Sequence, residues 1–188
     1  AIDIEAIKKK VMRGLSEPAG IITFPGVNGY TQDLDKRLPY DVDAAKKLLA
    51  DAGYPKGFDV ELRCPNDRYV NDEAICTAEV GMLGKIGVNV NLFAQTKSKH
   101  FKELKEDKGD FYMLGWGVPT LDSHYVFHYL YESGASWNKV NFSNSEVDAA
   151  IRVMEGEVDL DKRNAAIANA WKIVKDDISY LPLHHLSL

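Results

Sequence analysis

The chain has 188 residues, 45% of them hydrophobic and 27% charged, and a net charge of −5. That length suffices for one domain with a sizeable core, and the usage is ordinary for a globular protein. An acidic balance without a basic block excludes an electrostatic footprint for nucleic acid, and no apolar run approaches the about 20 residues that cross a bilayer.

The chain opens in a helical pattern. Ile4, Ile7 and Val11 recur at helical spacing and predict a helix over 3–13. It starts at Ala1 with neither an initiator methionine nor a signal peptide, so an excised piece of a longer protein is expected. A Pro- and Gly-rich loop follows over 18–30. It also carries Ile21, Ile22, Phe24 and Val27, so it should pack on the body of the domain.

Asp41 is a good N-cap for a helix whose buried face would be Ala44, Ala45, Leu48, Leu49 and Ala52, with Gly53 as its stop. Residues 58–63 alternate as a strand does. Asn71 can cap the next helix, with Ile75, Ala78, Met82, Leu83 and Ile86 on its inner face. Gly81, Gly84 and Gly87 are spaced by three, which would permit close packing along one side. A strand is expected over 88–93, and a charged helix over 97–107. That helix interleaves Lys97, Lys99, Lys102 and Lys105 with Glu103 and Glu106, which reads as a solvated face.

Residues 111–114 form a short apolar strand that runs into Gly115-Trp116-Gly117. An aromatic helix is expected over 125–131. Ser143 and Glu146 make a capping box for the helix of Val147, Ala150, Ile151 and Met154. Asp161 would start the last helix, with Ile167, Ala170, Trp171, Val174 and Ile178 inward. Leu181, Leu183 and His185 suggest a closing strand. Strands alternating with helices imply an α/β fold with a mixed sheet flanked by helices, without repeats or low-complexity linkers. Cys64 ends one strand and Cys76 falls early in the next helix. A bridge between them and a pair of buried free thiols are both open.

Motifs for catalysis are absent: there is no Gly-x-Ser-x-Gly elbow, no phosphate-binding loop and no full dinucleotide fingerprint. His124 and His128, four apart on a helix, could form a metal-binding facial set with Asp122, or simply be half-buried histidines. Trp116, between Gly115 and Gly117, offers a flat apolar face and one donor where a strand hands over to a helix, or else plugs the core. Arg68, in Asn66-Asp67-Arg68-Tyr69, could grip an anion through its planar fork, or pair locally with Asp67 or Asp72.

Taken in order, these segments resemble the family 5 extracellular solute-binding proteins of bacterial ABC importers. That family includes dipeptide-, oligopeptide-, nickel- and cellobiose-binding proteins. The resemblance rests on YDVDAAKKLLADAGYPKGFDVEL (Tyr40 to Leu62), the Pro-Gly-Val-Asn-Gly-Tyr end of the early loop (Pro25 to Tyr30), PNDRYVNDEAI (Pro65 to Ile75), KIGVNV (Lys85 to Val90) and LGWG (Leu114 to Gly117). The tail from Asn138 to His185 also fits.

The resemblance implies that residues 1–188 are a single lobe, the C-terminal one of a longer bilobal protein with a periplasmic-binding-protein-like fold. It implies a periplasmic or membrane-anchored, monomeric protein that closes over a small, peptide-like solute and presents it to ABC permease subunits in the membrane. No catalysis and no cofactor are expected. The residues expected to line the ligand cleft are Trp116, Gly117, Arg68, Tyr69, Asp122 and His124. One departure bears on the solute. In the peptide-binding relatives an aspartate after the Gly-Trp motif pairs with the ligand's α-ammonium, whereas the matching position here is Pro119, with Asp122 three residues further on. A sugar or metal chelate is therefore an alternative solute. A metal-dependent enzyme using Asp122, His124 and His128 and a protein-interaction domain are alternatives of other classes.

Overall fold

The computed structural model describes residues 1–186. Its elements in chain order are α1 (Ile4–Ala6), a π-helical turn (Ile7–Val11), β1 (Ser16–Pro18), α2 (Val42–Asp51), β2 (Phe58–Pro65), α3 (Asp72–Gly84), β3 (Val88–Gln95), α4 (Lys97–Lys105), β4 (Phe111–Tyr112), α5 (His124–Val126), a second π-helical turn (Phe127–Tyr131), α6 (Ser145–Gly156), α7 (Leu160–Asp177) and β5 (His184–Leu186). They divide into two compact units. The first comprises Ala1–Pro18, Leu38–Gly115 and Leu186, and the second Ala19–Arg37 and Trp116–His185.

The first unit is built on a three-stranded sheet in the order β3-β2-β4, and both pairings are parallel. Phe58 pairs with Val88 and Pro65 with Gln95, which fixes the register over the whole of β2 and β3. Leu62, Cys64 and Cys76 are fully buried, and Val90, Leu92, Phe111 and Met113 pack against them. β4 is shorter than the expected strand because only Phe111 and Tyr112 stay in the ladder. Even so, Met113 N still donates to Arg63 O at 2.9 Å.

Cys64 and Cys76 are joined as a disulfide, with Cα atoms 6.6 Å apart, which answers the question the sequence left open. The bridge ties the end of β2 to α3 across a separation of 12 residues. Closing a loop of that size in the unfolded chain is worth about 2–3 kcal/mol in the chain-entropy picture. A Cys64→Ala/Cys76→Ala double variant should lose that amount in urea unfolding, with the midpoint lowered. Equal midpoints for the two proteins would contradict it.

Several caps differ from the sequence reading, each for a local reason. Asn71 occupies the N-cap of α3 in the left-handed region, and its side chain donates to Val11 O instead of capping. Asp72 takes over the turn: Oδ2 accepts from the backbone N–H of Arg68 and Tyr69, and Oδ1 from that of Glu73. Asn144, not Ser143, caps α6, accepting from Glu146 N and Val147 N. Asp159, not Asp161, caps α7. At α6 and α7 the short amide or carboxyl side chain sits at the residue whose backbone is extended, which is where it can reach the free N–H groups.

Two expectations of packing are corrected. The apolar face of α2 is not buried: Leu48 is 69% exposed, and only Ala45 and Leu49 are half-covered. Gly81 and Gly84 face open space, so close approach does not explain them. Gly87, with positive φ, instead lies against Gly57, where an added Cβ would collide with Gly87 O.

The second unit is helical. α6 and α7 bury Val147, Ile151, Met154, Ile167, Ala170 and Trp171. Trp171 packs on Phe127, with ring centroids 4.6 Å apart, and its indole N–H donates to Ser123 Oγ at 3.1 Å. Ser123 Oγ donates in turn to Asn28 O at 2.6 Å. The early loop is thereby held on this unit, as its apolar content suggested: Ala19, Ile21 and Val27 are buried. Arg37 donates to Ala19 O and Pro182 O, and Asp35 accepts from the N–H of Gly20 and Ile21.

Candidate functional site

The chain leaves the first unit at Gly115, and Trp116 is where it re-enters the second. Its ring is half-buried in an aromatic group with Tyr125, Tyr129 and Trp137, whose centroids lie 6.0, 6.0 and 5.9 Å away. Tyr125 and Tyr129 are four apart on α5 and its π-helical continuation and contact each other at 4.8 Å. Their spacing was legible, but their role was not. Trp137 comes from a turn beyond the helix, and no periodicity links it to Trp116. The indole Nε1 of Trp116 is buried and has no hydrogen-bond partner among the described residues. A buried donor without an acceptor is uncommon in native structures and costs free energy unless something else supplies one. Trp171, the other deeply placed indole, has its acceptor in Ser123.

The two glycines around Trp116 play different parts. Gly117 is exposed and an added Cβ would meet nothing within 4 Å. At Gly115 the same atom would lie 2.6 Å from the ring of Tyr69, and the Tyr69 hydroxyl donates to Gly115 O at 3.4 Å. Gly115 is therefore the residue that allows a close approach, to Tyr69.

Arg68 and Tyr69 lie in the first unit, in the turn between β2 and α3. Arg68 is exposed and its guanidinium sits 5.2 Å from the Tyr69 ring centre. Neither local pairing open in the sequence is made. Asp72 binds the backbone of this turn, and Asp67 accepts from Lys97 N. Among the described residues no carboxylate pairs with Arg68, which leaves its fork available.

Asp122 is committed elsewhere. Arg163 grips it with two parallel bonds, Nη1 to Oδ2 at 2.8 Å and Nη2 to Oδ1 at 2.9 Å. Asn28 Nδ2 and the backbone N–H of His124 also donate to it. Burial pushes its carboxyl up, but the Arg163, His124 and Asn28 hydrogen bonds outweigh that and hold it below the usual range. His124 and His128 stack with centroids 5.5 Å apart. Glu155 of α6 joins them, and Asp122 does not, so the facial set anticipated from sequence has a different carboxylate. Nothing in the sequence spacing marks Glu155, which arrives from another helix.

The comparisons with known proteins agree with this architecture. The family model for bacterial extracellular solute-binding proteins, family 5 Middle, matches residues 1–138. The chain is 30% identical to a heme-binding protein A of Haemophilus influenzae over 98% of this chain and 35% of that one. It is 27% identical to a dipeptide-binding protein of Escherichia coli over 98% of this chain and 36% of the relative. The chain thus spans about a third of the length of the curated relatives it matches. Among solved structures, a dipeptide-binding protein of a Pseudoalteromonas species in complex with Met-Leu aligns with TM-score 0.84 and 26% identity, over 98% of this chain and 38% of that one. A periplasmic binding protein of Helicobacter pylori in complex with a peptide aligns with TM-score 0.87 at 22% identity, over 99% and 38%, and bears on the fold alone. The fold is the α/β fold of periplasmic binding proteins, and the chain belongs to the bacterial extracellular solute-binding proteins, family 5.

Proposed function

We propose that this chain is the C-terminal lobe of a longer bilobal protein, the substrate-binding component of a bacterial ABC importer. In this reading residues 1–188 act as one lobe of a periplasmic, monomeric protein. It takes up a small, peptide-like solute, performs no chemistry on it, and hands it to the permease subunits in the membrane. Family membership supports the class of function, and the relatives named for dipeptide binding support the solute class.

The single observation that carries the site is the buried Trp116 indole N–H without an acceptor, set among Tyr125, Tyr129 and Trp137. A flat solute group stacked there, with one acceptor for that N–H, would complete the group. Gly117 gives the ligand room beside the ring, while in the first unit Arg68, with its uncommitted fork and Tyr69 beside it, is by itself suited to an anionic group. His124 is assigned no direct contact.

A second reading is favoured by one specific feature. With Pro119 at the ammonium-binding position and both Asp122 oxygens held by Arg163, the loop lacks a free carboxylate for a peptide's amino terminus. A non-peptide solute, an oligosaccharide or a metal chelate, fits that loop without a substitute anchor. A thermal-shift screen of dipeptides, oligosaccharides and metal chelates tests both. The expected result is stabilisation by one class, lost on Trp116→Ala when each shift is taken from the variant's own, lowered, unliganded midpoint. No stabilisation by any class, or a hit indifferent to Trp116→Ala, would remove the proposed site.

A further inference from the structure

We propose that His124, His128 and Glu155 form a site for one divalent transition-metal ion, held by the protein itself and independent of the transported solute. His124 begins α5 and His128 lies in the π-helical turn that extends it, so both rings leave the same side of one helical segment. Their planes are 19° from parallel, and one nitrogen of each ring lies near Glu155 of α6. There one oxygen of Glu155, Oε1, lies 3.5 Å from His124 Nε2 and 4.0 Å from His128 Nδ1. The three ligand atoms fall within 4.8 Å of one another. Bonds of about 2.1 Å at tetrahedral angles would set such atoms about 3.4 Å apart, so the group closes on an ion with small side-chain movements.

The surroundings favour this closure. Arg152 Nη1 donates to the other Glu155 oxygen, Oε2, at 2.9 Å, and its second nitrogen holds Glu132 Oε1. The guanidinium thus takes one oxygen of each carboxylate and leaves Glu155 Oε1 and Glu132 Oε2 beside the imidazoles; Glu132 Oε2 is 2.7 Å from His128 Nδ1, a contact that an ion at this nitrogen would replace, with Glu132 close enough to serve as a further ligand. Carboxylates fixed by a hydrogen-bonding partner are the usual support of metal ligands. Two carboxylates against one guanidinium leave the cluster negative when the imidazoles are neutral, which suits a cation. The three side chains are about a third exposed, so an ion can reach them and water can complete its shell. Two imidazoles with one carboxylate select zinc, nickel or copper over magnesium or calcium. Asp122 takes no part, because Arg163 occupies it.

The test is equilibrium dialysis of the full chain, without solute or chelating buffer, against zinc chloride, nickel chloride and magnesium chloride in turn. The expected result is one equivalent of zinc or nickel and none of magnesium. Affinity should fall at least tenfold in His128→Ala and in the conservative Glu155→Gln, and hold in His184→Ala. X-ray absorption on the zinc-loaded chain should show two imidazole nitrogens, a readout independent of any change in folding. No saturable binding of zinc or nickel, or equal affinity in wild type, His128→Ala and Glu155→Gln, would overturn the proposal. Neither outcome bears on solute binding, since no solute is present.

Discussion

Replacing Asp122 by alanine is expected to lower the unfolding free energy by about 3 kcal/mol at neutral pH. The estimate follows from the geometry of the pair. Arg163 is 17% and Asp122 23% exposed at the side chain, and two charge-assisted bonds join them. Removing one partner leaves the other guanidinium nitrogens largely out of water with nothing to bind, and such losses run to about 3–5 kcal/mol for fully buried pairs. Partial exposure sets the lower figure. Asn28 Nδ2 loses an acceptor as well, so the early loop should loosen.

The pH dependence has a definite sign. The Asp122 carboxyl is held below its usual 3.8, so its stabilisation is present above that pH and is lost as the pH falls through its lowered value. The gap between wild type and Asp122→Ala should therefore close in strong acid. Urea midpoints at pH 7 and near pH 3 measure this, and a gap that does not change between the two would contradict it.

The second large effect has the opposite sign and lies in the other unit. Glu79, on α3, is 6% exposed, and burial pushes its carboxyl up to about 7 from the usual 4.5. Below 4.5 the folded and unfolded chains both carry the proton. Between 4.5 and 7 the unfolded chain releases it and the folded chain keeps it, so stability falls as the pH rises. The interval corresponds to about 3 kcal/mol, complete above pH 7. Glu79→Gln keeps the shape and removes the ionisation. The variant should match wild type near pH 4.5 and exceed it by about 3 kcal/mol at pH 8 in chemical unfolding. An equal difference at both pH values would show that ionisation of Glu79 is not the cause.

The two units differ in how much of them could be read from sequence. In the first, alternation over Phe58–Pro65 and Val88–Gln95 marks two strands, and the helix between them makes a parallel pair the natural arrangement. In the second, the inward faces of α6 and α7 follow the helical period as far as Val174, and Trp171 is buried as the spacing predicts, whereas Ile178, also expected inward, is the left-handed C-cap of α7 and is exposed. What escaped were features set by tertiary partners. The period of apolar residues does not separate an α-helix from a single π-helical turn, so the turns at Ile7–Val11 and Phe127–Tyr131 were not visible. The α2 pattern promises a buried face, yet Leu48 stays exposed because amphipathicity states what could be covered, not what covers it.

The candidate site divides in the same way. Trp116 and Arg68 were legible as residue types in turns that follow strands. Their freedom from other partners was not, because it depends on where Asp67, Asp72 and every acceptor near the indole finally lie. Asp122 looked available only because Arg163 stands 41 residues away in sequence. Glu155 was missed as the companion of His124 and His128 for the same reason.

The most direct measurement of the proposed solute site is the indole N–H region of a ¹⁵N spectrum, recorded with and without a ligand found in the thermal-shift screen. The chain has three tryptophans, so three signals are expected. Trp171, already bonded to Ser123 and 1% exposed, serves as the internal reference. The expected result is a large shift of the Trp116 signal on binding, slower exchange of its proton, and little change at Trp171. A ligand that binds while the Trp116 signal stays in place would contradict the claim that this indole waits for an acceptor supplied by the solute.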